Sequence, residues 1–145
     1  MTEIEKIEWD PKYSVDVEEI DIHQKKMFEM FNELIDMKKK KADPKDYVNM
    51  ISDINDYSKI YFSKEEKILK KKKYPDYETH AKAHRQFIRS SIGLRRELAE
   101  DVDNLKLESI LELRNLLITH IEKSDSLYVP FLRIHQYIES KTQKN

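Results

Sequence analysis

The stretch YPDYETHAKAHRQF, residues 74–87, decides the fold. Pro75 and Asp76 suit the opening of a helix, and Tyr77, His80, His84 and Phe87 then recur at intervals of three and four, the spacing of one helix face. Ser91, Leu94 and Leu98 extend the stripe past Gly93, which interrupts the pattern without ending it. Two histidines therefore lie on a face that must be buried. A buried polar group costs a few kcal/mol unless it is partnered, so this helix needs neighbours that supply partners.

Upstream, a helix from about Val17 to the run Lys38–Lys41 carries Ile20, Met27, Phe28, Phe31, Leu34 and Ile35 on one face. Asp43 and Pro44 then give an N-cap and a first-turn proline. The second helix places Tyr47, Ile51, Ile54, Ser58, Tyr61, Glu65 and Ile68 on its seam and ends near Lys70–Lys73. Downstream, Asp103 is the expected N-cap of a fourth helix with Ile110, Leu113, Leu117 and His120 on its seam. A last segment runs from Tyr128 through Ile138, with Pro130 expected to break or redirect it. Short connections make successive helices antiparallel. The expected fold is an all-α, up-down-up-down four-helix bundle with an N-terminal loop around Trp9, Pro11 and Tyr13 and a short C-terminal helix, one domain over residues 1–145.

Composition agrees. One Gly and four Pro in 145 residues, with 38% charged residues, exclude the sheet-rich classes. Lys+Arg 27 against Asp+Glu 28 leaves no net field to recommend nucleic acid or an anionic membrane. The two lysine runs complement helix C-termini, and antiparallel helices put them at opposite ends of the bundle. With no cysteine, disulfides, thiol catalysis, iron–sulfur clusters and Cys-ligated zinc are excluded. The N-terminal MTEIEKIEWDPK is charged, and no stretch approaches the roughly 20 apolar residues of a membrane span. A cytoplasmic protein, monomeric or weakly self-associating, is expected.

In such a bundle, early positions on helices one and three meet late positions on helices two and four. Gln24, Tyr61, Glu65, His80, His84 and His120 fall at one depth, with Asp125 just beyond. The i,i+4 pair His80 and His84 suits one transition metal, and Glu65 and Asp125 add hard anionic oxygens. Mixed imidazole and carboxylate donors without thiolate favour iron or manganese, with zinc competing. At about 100° per residue, Gln24 falls about 25° from the centre of the first helix's apolar face and His23 about 75° to the other side, so His23 reaches the site only through a rotated or π-bulged helix. Tyr61 is either a phenolate ligand to ferric iron or a neutral phenol donating to Glu65 or to metal-bound water.

The segments IDIHQKKMF (20–28), YFSKEEKIL (61–69), YPDYETHAKAHRQF (74–87) and HIEKSDSLY (120–128) resemble the hemerythrin family. That resemblance implies a non-haem di-iron centre and a binding protein, rather than an enzyme, for O2 or a related diatomic or peroxide. It puts His80, His84 and His120 on one iron, makes Glu65 and Asp125 the bridging carboxylates, and leaves Gln24 and Tyr61 where the family has histidines on the second iron. Two alternatives remain: an iron-dependent redox protein acting on peroxide, O2 or nitric oxide, and a bundle stapled by a single metal.

Overall fold

The computed structural model describes residues 6–100 and 107–143. Its helices are α1 (Glu18–Lys39), α2 (Pro44–Lys71), α3 (Tyr77–Glu100), α4 (Leu107–His120) and α5 (Ser126–Gln143), with a π-helical turn, Ile121–Asp125, joining the last two. Packing runs α1 on α2, α2 on α3, α3 on α4 and α4 back on α1, which closes an all-helical bundle. Asp103 lies outside the described residues. Among those described, no helix is long and apolar enough to cross a membrane.

Each seam is buried as its periodicity requires. Ile20, Met27, Phe31, Leu34 and Ile35 of α1 meet Ile51 and Ile54 of α2, Phe87 of α3 and Ile110 and Leu117 of α4 in one core. The start of α2 is capped by Asp43, which accepts from the Lys45 amide at 3.0 Å, with Pro44 in the first turn. At the start of α1, Val17 offers no side-chain cap. Asp21 substitutes by accepting from the Val15 amide at 2.9 Å and the Ser14 hydroxyl at 2.5 Å. The N-terminal strap lies along α1, held by a two-way pairing between the Ile7 backbone and the Asn32 amide.

Helices α1 and α2 end alike. The Ala42 amide donates back to Met37 O and the Tyr74 amide to Leu69 O, so both ends are Schellman closures. Their left-handed residues are Lys41 and Lys73, at φ 53° and 59°, where glycine is the unstrained choice. Lys41→Gly and Lys73→Gly are each expected to raise stability by about 1 kcal/mol, read as an increase in urea midpoint at constant slope. In mid-α3, a Cβ on Gly93 would meet nothing within 4 Å. Gly93→Ala should therefore add about 0.5–1 kcal/mol in the same assay.

The chain does not break at Pro130. Helix α5 continues through it to Gln143. A proline inside a helix loses one amide bond and presses its ring toward the carbonyl four residues back. Here that carbonyl belongs to Ser126, at the junction with the wider π turn, where the ladder is already loosened.

Candidate metal centre

Five charged or titratable side chains converge where the four helices meet. Glu65 of α2, His80 and His84 of α3, His120 at the end of α4 and Asp125 at the end of the π turn are all buried, each presenting one donor atom within 4.8 Å of the others. Each arrives for a local reason. His80 and His84 are one α-helical turn apart and share a face. His120 and Asp125 are five apart, which in an α-helix would turn them about 140° from each other. The π turn closes its ring over five residues and brings both to the same side.

Glu65 Oε1 is the centre of the cluster. It lies 2.8 Å from His84 Nε2, in closer contact with His80 Nε2, and 3.9 Å from His120 Nε2. Asp125 Oδ1 lies 3.2 Å from His80 Nε2 and 3.0 Å from His120 Nε2. His120 Nε2 and Asp125 Oδ1 nevertheless make no hydrogen bond among the described residues, and both are fully buried. Orphaned donor atoms about 3 Å apart have the spacing of neighbouring vertices around an ion roughly 2.1 Å from each. The donors present fit a metal.

Outer contacts hold the ring. His84 Nδ1 is 2.9 Å from Glu66 Oε2, which leaves Nε2 facing the cluster. Phe62 stacks on His84 at 4.0 Å between ring centres, 10° from parallel. Glu66→Ala should weaken metal affinity about 10- to 100-fold while leaving stoichiometry intact, as measured by competition with a chelator.

Without an ion, electrostatics do part of the same work. Burial alone would push the imidazoles down. The carboxylates of Asp125 and Glu65 more than reverse this, raising His80 to about 9 and His120 to about 10. For Glu65, burial opposes ionisation, but the surrounding imidazoles of His120, His80 and His84 win and hold it well below the usual carboxylate range.

The remaining sequence candidates are placed differently. Tyr61 donates to Asp125 Oδ2 at 2.9 Å, across the bundle, rather than to Glu65 one turn along its own helix. Glu65 Oε2 instead accepts from Tyr128 at 2.9 Å. Burial, then the charges of Asp125 and Glu65, raise the Tyr61 phenol well above its usual range, so it is a neutral donor. Gln24 is fully buried, and its amide oxygen accepts from the Trp9 indole N–H at 2.9 Å. His23 is half-buried and outside the cluster, its Nδ1 2.7 Å from the Tyr57 hydroxyl.

Sequence reading missed Tyr128, Glu66 and the role of Trp9. Tyr128 follows Asp125 by three residues, so its face was readable once the helix was known to continue. Glu66 stood in the quoted YFSKEEKIL segment. Nothing local pairs Trp9 with Gln24.

Fold and donor set together define a helical bundle with an interior histidine–carboxylate centre suited to a metal. The profile of the hemerythrin HHE cation binding domain matches residues 15–132, and the chain belongs to that family. It is 27% identical over 124 residues to a myohemerythrin of Theromyzon tessulatum, covering 86% of this chain and 92% of that one. It is 29% identical over 127 residues to a bacteriohemerythrin of Pseudomonas aeruginosa, covering 86% and 80%. A hemerythrin-like protein of Naegleria gruberi is 25% identical over 120 residues, covering 83% and 88%. No solved structure gives a significant match.

Proposed function

We propose that this chain is a non-haem iron protein that binds O2, or a related diatomic or peroxide ligand, at the cluster of Glu65, His80, His84, His120 and Asp125. The observation that carries the reading is the convergence of these five buried side chains, with two of their facing atoms, His120 Nε2 and Asp125 Oδ1, lacking a hydrogen-bond partner among the described residues. Iron held there would supply a redox-active centre with affinity for small oxygen and nitrogen oxide ligands. Manganese and zinc are the competing occupants.

The surrounding residues suit such a role. Glu66 orients His84, and Phe62 and Phe87 pack edge to face at 5.4 Å to keep water from that side. A cavity of about 180 Å³ lined by Ala83, Gln86, Phe87, Leu116, Thr119 and His120 gives a small molecule an approach to the His120 edge.

The test is anaerobic reconstitution with Fe(II), followed by metal analysis and visible spectra before and after exposure to air. Retained iron with a spectrum that changes on exposure and reverts on removing O2 supports the reading. Irreversible bleaching with consumption of peroxide would move the protein to the redox class, and failure to retain iron, manganese or zinc would overturn the assignment.

A further inference from the structure

We propose that this centre holds one metal ion rather than two, because two phenols and a reversed amide close the position a second ion would occupy. The inference rests on the metal-binding reading above and concerns only how many ions the site accepts.

Each carboxylate has two faces. Glu65 Oε1 and Asp125 Oδ1 look toward the three imidazoles. Glu65 Oε2 and Asp125 Oδ2, the oxygens with which these groups would bridge to a second cation, each accept a phenol O–H at 2.9 Å, from Tyr128 and Tyr61 respectively. An ionised carboxylate only accepts, so in both bonds the tyrosine proton lies on the line between the oxygens. A second cation would meet two bond dipoles with their positive ends toward it. The phenols neutralise the far side of the carboxylates as a cation would, without being one.

The first helix offers no replacement donor. The Trp9 indole nitrogen is a donor only, so the Gln24 oxygen must face it. The other end of the amide, Nε2, is buried, without a hydrogen-bond partner among the described residues, and has no lone pair to give a metal. His23 lies outside the cluster of converging donors, with its Nδ1 2.7 Å from the Tyr57 hydroxyl. With Tyr61 spent on Asp125, neither α1 nor α2 contributes a ligand on the far side of the carboxylates. Tyr61 and Tyr128 are thus positioning residues that aim one oxygen of each carboxylate at the imidazoles.

The experiment is equilibrium dialysis of the full chain against Fe(II) under argon, and separately against Co(II) and Zn(II), which do not cycle under these conditions. About one tightly held ion per chain is expected with each metal, and the ferric form should lack a visible phenolate charge-transfer band. Two ions per chain, or a phenolate band lost in Tyr61→Phe, would overturn the inference and leave the metal-binding reading standing. No tight binding would overturn both. Tyr61→Phe should keep one Co(II) but shift its ligand-field spectrum, because Asp125 is no longer held, and an unchanged spectrum would refute the positioning role. The triple variant Q24H/Y61H/Y128F supplies two imidazoles and frees both Asp125 Oδ2 and Glu65 Oε2, so uptake should double. Uptake that stays at one in a folded variant would refute these residues as what closes the position.

Discussion

His84→Ala is expected to strip the centre of metal and bring the loaded protein down to the stability of the metal-free one. His84 is 1% exposed, lies 2.8 Å from Glu65 Oε1 and is braced from behind by Glu66 and Phe62. Its removal takes one of the three imidazoles and leaves a cavity beside Phe62. The loss in affinity should exceed about 100-fold, the upper end of what losing an outer partner costs. An ion present at about a thousand times its Kd stabilises the native state by about 4 kcal/mol. Losing that contribution lowers Tm by on the order of 10 °C in a chain of this size. Metal analysis beside thermal unfolding, with and without chelator, reads both effects. A variant that keeps its ion and its Tm would remove His84 from the centre.

The second large effect is an opposite pH dependence of the metal-free and loaded forms. In the metal-free protein, His80 and His120 are raised from 6.5 to about 9 and about 10. A raised folded pKa contributes stability that is complete below about pH 6.5 and is lost as pH rises through 9 to 10. For His80 alone this corresponds to about 3 kcal/mol, and the two do not simply add because they share Asp125 and Glu65. Glu65 works in the other direction. Its depressed pKa gives stability that is present above 4.5 and lost as pH falls below it. The metal-free protein should therefore be most stable between about pH 5 and 6.5 and weaken steadily toward pH 10. Metal must displace the protons on these imidazoles, so affinity rises over the range in which the metal-free form weakens. Urea unfolding from pH 5 to 10, with and without chelator, tests this. A metal-free stability that is flat or rising above pH 7 would show that the carboxylates do not hold charged imidazoles.

The bundle and its polar layer were legible because both depend on local periodicity. His80, His84 and Phe87 announce a face by their spacing, and the depth at which Glu65 and His120 meet them follows from antiparallel packing alone. The hydrogen-bond partners were not legible. Tyr61 reaches Asp125 across 64 positions and Tyr128 reaches Glu65 across 63, and which oxygen each takes depends on side-chain geometry that no spacing encodes. The break expected at Pro130 in the last segment is absent for a related reason. Proline is a local stop signal, and the π turn that accommodates it has no simple mark in sequence.

That turn also makes the length of the chain part of the site. From Leu107 to Gln143 the backbone carries one residue more than an unbroken α-helix needs to put His120 and Asp125 on the same side. Losing one of the exposed residues Glu122 or Lys123 would relax the turn to ordinary α-helix, with the carboxylate four places after the imidazole and Tyr128 and Leu132 still facing inward. The same loss a few residues earlier, within α4, would swing everything beyond it by about 100° and carry Asp125 out of the bundle. The segment between His120 and Asp125 is thus a slack link, where a gene can lose a codon without disturbing the centre on either side.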